Sequence, residues 1–188
     1  MQFVVAKYNE DYSWTGGLDN VIIYNKGCEL AGSVVLPNIG REAHTYLYHI
    51  VTNYDILADH TCFLQGMPFD HCPDLSDRLA NFSGGSVSYL SKNTLTCDRN
   101  GGPEHPGLEV GELYDKYFTG ERTHFVFHPG AQFIVSKEMI RSRPKWFYEK
   151  LMCETSSGYP WIYERLWMYI FSEEPVRRLC TTQNISLQ

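Results

Sequence analysis

Three short apolar runs dominate the first third of the chain, and each ends in a polar cluster. Phe3 to Tyr8 is rich in Val and reads as a buried strand, as do Val21 to Tyr24 and Thr61 to Leu64. Between the first two, Glu10 to Leu18 is polar around Trp14 and stops at Gly16-Gly17, which predicts a short helix or turn. Arg41 to Tyr54 carries Ala43, Tyr46, Leu47, Ile50, Val51 and Tyr54 at the i, i+3, i+4, i+7 spacing of an amphipathic helix. Pro37, Asn38 and Gly40 mark its start. Strand, helix, strand, helix, strand with short links predicts an α/β fold with a parallel sheet covered on both faces.

The second half is less regular. Asp74 to Asn81 reads as a short helix and Ser86 to Leu90 as a strand. Asn93 to Glu112 holds four Gly and two Pro and predicts a loop of about 20 residues, a length that marks a lid, a binding loop or disorder. Thr123 to His128 alternates, Pro129-Gly130 breaks the pattern, and Gln132 to Val135 resumes it, as two strands or one broken strand. Lys137 to Cys153 is helical with an interruption near Pro144, and its mixed charges from Lys137 to Lys150 read as a solvated face. Pro160 opens a largely buried helix through Phe171. Residues 1–174 form a single domain on this reading, with 175–188 a loose tail.

Composition removes several function classes. Sixteen basic residues face 22 acidic ones, for a formal charge of −6, and no basic stripe stands out, so nucleic acid is not an expected partner. No apolar run approaches the roughly 20 residues of a membrane span, so no transmembrane segment is expected. The start MQFVVAKYNE lacks the pattern of a secretory leader, and a cytoplasmic location is expected. Six scattered cysteines without a CxxC pair read as reduced thiols. A zinc site from His60, Cys62, His71 and Cys72 would need spacings that match no standard structural site.

In open α/β sheets ligands bind beyond the carboxyl ends of the strands. That rule selects Tyr8-Asn9-Glu10-Asp11, Tyr24-Asn25-Lys26-Gly27 and Gln65 to His71. Arg41, at a helix N-terminus, either contacts a phosphate or base, or braces the loop by pairing with Glu10 or Asp11. Asp70 and His71 either bind a divalent metal or a sugar hydroxyl, or simply close a turn. Glu164, on an apolar helix, either has a raised pKa suited to a general base or forms an internal ion pair with an arginine. His128 reads as a structural histidine. Walker A, GxGxxG, GxSxG and HExxH motifs are all missing from the sequence.

Val4 to Asp11 with Ser13-Trp14, Ile23 to Gly27, and Pro37-Asn38-Ile39-Gly40-Arg41-Glu42-Ala43 resemble the opening of nucleotide-sugar glycosyltransferases of the GT-A type. More closely, the chain resembles the family DUF3431. The likeness lies in that helix start, Phe63-Leu64-Gln65, Asp70-His71, Gly130-Ala131-Gln132-Phe133 and Glu164-Arg165-Leu166-Trp167. The GT-A likeness implies a mixed, mostly parallel central sheet flanked by helices, with a Rossmann-like nucleotide-binding half. It implies transfer of a sugar from a nucleotide diphosphate donor, UDP-linked by expectation, to a hydroxyl of a glycan acceptor. Tyr8, Asn9, Glu10, Lys26, Arg41 and Gln65 would border the nucleotide, and Gly130, Ala131 and Gln132 the donor sugar. Glu164 or Asp70 would be the catalytic base. The usual Asp-x-Asp motif is replaced by Gln65-Gly66-Met67, so Mn²⁺ or Mg²⁺ would rest on Asp70 and His71, or the reaction would proceed without metal. Two rivals remain: a non-catalytic nucleotide- or glycan-binding protein on the same fold, and a metal-dependent hydrolase built on Asp70, His71 and Asp74.

Overall fold

The computed structural model describes residues 1–102, 105–156 and 159–177. Three parallel strands lie side by side at its centre: β1 (Gln2–Lys7) pairs with β2 (Val21–Asn25) on one flank and with β4 (His60–Gln65) on the other. A two-residue strand, β3 (Val34–Val35), extends the sheet beyond β2. Beyond β4 runs the antiparallel β8 (Phe133–Ser136), which in turn pairs antiparallel with β5 (Val87–Tyr89). The order is therefore β3-β2-β1-β4-β8-β5, a mixed sheet flanked by helices. Successive strands move outward from β1 to β2 to β3, and the chain then returns to the other side of β1 to lay down β4.

The two faces of this sheet bury different chemistry. Side chains alternate along a strand, so Phe63 of β4 and Phe133 of β8 point one way while Cys62, Leu64 and Ile134 point the other. On the first face lies helix α1 (Arg41–Asn53), with Tyr46 against Phe63 at 5.0 Å between ring centroids. Helix α6 (Trp161–Ile170) covers the same face through Trp167, 5.2 Å from Phe133. The second face is covered by helix α2 (Leu75–Ala80) and by a 3-10 turn at Ser13–Gly17, with Leu75, Leu79 and Trp14 as the packing side chains. The aromatic-rich face dominates the core, and fully burying such side chains stabilises by about 1.5–3 kcal/mol each.

Three expectations are corrected. Asn93 to Glu112 is not one loop: it holds β6 (Leu95–Asp98), and helix α3 (Val110–Tyr117) begins before its end. Of the two readings for Thr123 to His128 and Gln132 to Val135, two strands is the one found: β7 (His124–Phe127) pairs with β6 in a separate two-stranded sheet, apart from β8. The tail is tied down over residues 175–177, where Val176 bridges Phe118 and Arg177 N–H donates to Tyr117 O at 2.9 Å. Residues 178–188 lie outside the described residues.

The Lys137 to Lys150 segment divides into α4 (Lys137–Arg141) and α5 (Lys145–Glu154), split near Pro144 as expected. Its face is not wholly solvated, however. Arg143 is buried against the rings of Phe118 and Phe147 and donates to the carbonyls of Ser172 and Glu174. A guanidinium carries five donors in a rigid fork, so it satisfies several carbonyls just past the end of α6 where a lysine would satisfy fewer. No helix among the described residues is long and apolar enough to cross a membrane.

His44 and His49 of α1 are both buried, and burial pushes each imidazole down to about 4. His49 Nδ1 meets the Tyr24 hydroxyl at 2.9 Å. The unfolded chain protonates such a group near pH 6.5, whereas the folded chain resists until about pH 4. Their contribution to stability is therefore present at neutral pH and is lost as pH falls through that window. We predict that urea midpoints fall between pH 7 and pH 4, and that His49→Gln flattens this slope by up to about 1.4 kcal/mol per pH unit. An unchanged slope in the variant refutes the assignment.

Candidate functional site

The register of the three parallel strands sets the site. Lys7 of β1 lies level with Asn25 of β2, and Ala6 lies level with Gln65 of β4. Three chain segments therefore leave the sheet side by side at its carboxyl edge. The direction of strand addition reverses between β1 and β4, which opens a crevice at that point. A cavity of about 540 Å³ occupies it. Ala6, Lys7, Tyr8 and Glu10 contribute from the β1 exit, and Gln65, Gly66, Met67, Asp70 and His71 from the β4 exit. Lys26, Asn38, Arg41 and Glu42 close the third side. The volume falls within the range of ligand pockets.

Each wall is fixed by hydrogen bonds. Glu10 accepts the Tyr8 N–H at 2.6 Å, and its carboxylate reaches across to Gly66, where a Cβ would stand 2.6 Å from Oε2. The Trp14 indole donates to Gly66 O at 2.9 Å and anchors the β4 exit from the other face. Lys26 Nζ donates to Ile39 O at 2.6 Å and to Arg41 O, which ties the β2 exit to the start of α1. Burial lowers the Lys26 ammonium to about 8, against the pull of nearby Glu42. Arg41 has φ of 47°, a left-handed conformation that costs an ordinary residue about 1–3 kcal/mol. Its guanidinium lies 5.2 Å from the centre of the Trp161 ring, and its Nε is 3.5 Å from Glu42. It pairs with neither Glu10 nor Asp11; Asp11 instead caps the 3-10 turn by accepting from Ser13 N–H and O–H.

Not every expected site residue faces the cavity. Asn9 is absent from its lining; its Oδ1 accepts the Cys28 N–H at 3.2 Å. That braces a close approach of two loops, since a Cβ at Gly27 would lie 2.0 Å from Tyr8 O. Gly130, Ala131 and Gln132 form the wall behind the β4 exit. Gly130, at φ of 90°, packs on the His71 side chain so closely that a Cβ would meet its Cβ at 2.5 Å. Gln132 is buried and donates to Pro68 O at 2.9 Å. Ala131 is buried at φ of 49°.

Glu164 lies behind that wall. One carboxylate oxygen accepts the Gly130 N–H at 2.5 Å and the other pairs with Arg165. The internal ion pair is thus present. Arg165 is itself buried; it donates to Trp161 O at 3.1 Å, contacts His105 Nδ1 at 3.2 Å and lies over the Phe127 ring. Asp74 is likewise engaged, with Arg78 at 3.1 Å and Lys92 at 3.2 Å. His128 stacks on Tyr89 with centroids 4.6 Å apart, the structural role expected of it.

A model of the family DUF3431, described as a protein of unknown function, matches residues 3–187. The chain belongs to DUF3431. Comparison of this DUF3431 chain with curated proteins finds no match. Comparison with solved structures finds none either.

Among the described residues of the DUF3431 chain, no three His, Cys, Asp or Glu side chains converge as a metal cage. Cys28, Cys62, Cys72, Cys97 and Cys153 are free thiols, and Cys180 lies outside the described residues. Asp70 and His71 sit on one exposed turn at the cavity and offer one carboxylate and one imidazole. Mg²⁺-type sites are often completed by substrate phosphates and water, so this pair suits a cation that arrives with its ligand.

Two lining residues, Lys7 and Glu42, were not among the expected contacts. Lys7 is the last residue of β1, 8% exposed, and donates to Tyr8 O at 2.9 Å. A lysine ending an apolar strand is readily taken for a solvated punctuation mark, and only the rule about strand ends points to it.

Glu164 links β8's turn to α6. We predict that Glu164→Ala, which strands the buried Arg165 and frees the Gly130 amide, costs about 3 kcal/mol in urea unfolding. A midpoint equal to wild type refutes that linking role.

Proposed function

We propose that the protein binds a nucleotide-diphosphate sugar in the strand-end cavity and transfers the sugar to a hydroxyl of a glycan acceptor. The supporting observation is convergence: Tyr8, Glu10, Lys26, Arg41, Gln65, Asp70 and His71, chosen from four separate stretches of sequence, line one cavity. The mixed sheet, parallel on the β1 side and reversed at β8, is consistent with the GT-A resemblance.

In this reading the diphosphate lies among Lys7, Lys26 and Arg41. Lys26 has two carbonyl partners and one N–H left for an oxygen. The acceptor hydroxyl attacks the anomeric carbon, the bond from that carbon to the diphosphate breaks, and the diphosphate leaves with the electron pair. Positive side chains already in place stabilise that charge. Mn²⁺ or Mg²⁺ held by Asp70 and His71 would add further charge neutralisation. Of the two candidate bases, Asp70 lines the cavity, while both oxygens of Glu164 are engaged. We therefore assign acceptor deprotonation to Asp70 and a positioning role to Glu164. The hydrolase alternative loses its third residue, because Asp74 is paired elsewhere. The engagement of Glu164 is also what keeps the second reading, nucleotide binding without transfer, in contention.

Thermal shift with UDP, GDP and CMP, each with and without Mn²⁺, tests binding. One nucleotide should raise Tm by several degrees, and Arg41→Ala should remove the rise. No shift with any nucleotide overturns the proposal. Donor turnover tests catalysis: Asp70→Asn should lower it about 10²- to 10³-fold. Full binding with unchanged turnover in Asp70→Asn removes Asp70 as base, and binding with no turnover in wild type establishes the second reading.

A further inference from the structure

Glu42 is the most confined carboxylate in the cavity wall. Its side chain is only 11% exposed. Glu10 has a close partner in the Tyr8 amide, and Asp70 lies on an exposed turn where water serves it. Glu42 accepts from its own backbone N–H and makes a 3.5 Å contact with Arg41 Nε, and among the described residues no other side chain donates to its carboxylate. An ionised carboxylate has about four acceptor positions. Buried polar groups are normally satisfied, so a nearly buried carboxylate with open positions on a cavity is a place for ligand donors. Burial holds the Glu42 carboxyl above its usual range, and Glu164 nearby pushes the same way. The chemistry that fits is a pair of neighbouring hydroxyls, which donate and carry no charge.

The same surroundings work against an anionic sugar. Lys7, Lys26 and Arg41 are balanced in the lining by Glu10, Glu42 and Asp70, so no surplus positive charge is left once a diphosphate and its cation are bound. A ligand carboxylate beside Glu42 would add like charge while the free donors of Lys26 and Arg41 are taken up by the diphosphate. We propose that Glu42 accepts hydroxyl hydrogen bonds from the bound sugar and restricts the cavity to neutral sugars, excluding uronic acids. This deepens the donor-binding reading of the same cavity and rests on it.

The test is calorimetric binding of UDP, UDP-glucose and UDP-glucuronate, with Mn²⁺, to wild type, Glu42→Gln and Glu42→Asp. Ligand-observed NMR runs in parallel with methyl glucoside and methyl glucuronide, which contain no nucleotide. Wild type should favour the neutral member of each pair by about tenfold, the equivalent of about 1.4 kcal/mol. Glu42→Gln should bind UDP at least as tightly as wild type, because a negative charge beside Arg41 is removed, while that preference falls to about twofold or less. Glu42→Asp keeps the charge and should still reject glucuronate, so the inference stays testable if the Gln variant does not fold. A preference unchanged in Glu42→Gln, or none in wild type, overturns the inference and leaves UDP binding as evidence for the nucleotide reading. Loss of methyl glucoside binding in Glu42→Gln, with no UDP binding in any form, overturns the nucleotide reading and upholds Glu42. No response to any probe overturns both.

Discussion

Parallel pairing of β1 with both of its neighbours is the constraint from which the rest follows. It aligns Lys7, Asn25 and Gln65 at one edge, where three strands must release their chain together. Backbone groups past that edge lose their ladder partners and need others. The loops meet this demand with side chains. Asn25 Nδ2 donates to Cys28 O at 2.6 Å while its Oδ1 accepts from Gly27 N at 3.1 Å. Lys26 serves Ile39 and Arg41, and Glu10 serves Tyr8. Polar residues gather at strand ends for this structural reason before any ligand is considered, and the question for each is how much bonding capacity is left.

That question separates the residues. Asn9 and Asn25 are engaged with loop backbone, and Glu164 with Gly130 and Arg165. Lys26 keeps one donor. Arg41 is exposed, contributes one nitrogen to a long ion pair, and leans on Trp161. Glu42, engaged by its own N–H and by Arg41, keeps acceptor positions to spare. The groups with residual capacity are therefore those that share the cavity, and the fully engaged groups form the frame around it.

Much of this was legible in the sequence, for definite reasons. β1, β2 and β4 are short runs of apolar residues buried on both faces, and α1 has a 3.6-residue period, so pattern alone exposes them. β3 escaped notice because Val34 and Val35 are exposed and too few to show a pattern. β6 was hidden in a Gly- and Pro-rich stretch, and its strand character comes from pairing with β7, whose partner residues lie about thirty positions away. α3 starts after Glu109 in a left-handed conformation, with none of the usual capping residues to announce it. In the site, the strand-end rule found the three strand exits, and the helix start pointed to Arg41. It overreached at Asn9, whose type suits a ligand but whose position suits a brace. It passed over Glu42 because an acid in the first turn of a helix already has an explanation in the helix dipole.

The frame also accounts for two strained residues. Arg41 and Ala131 both have positive φ, and both adjoin the candidate site. Such conformations persist only where neighbours over-determine them. At Arg41 the carbonyl is held by Lys26, and at Ala131 the preceding amide is held by Glu164. Arg165 in turn holds Glu164 and reaches His105 in the chain between β6 and α3. Glu42, beside Arg41, also feels the charge of Glu164, so the start of α1 and the β8 turn are electrostatic neighbours as well as two ends of the same frame. The strain is thus stored where two sets of contacts meet, and those contacts hold it in place.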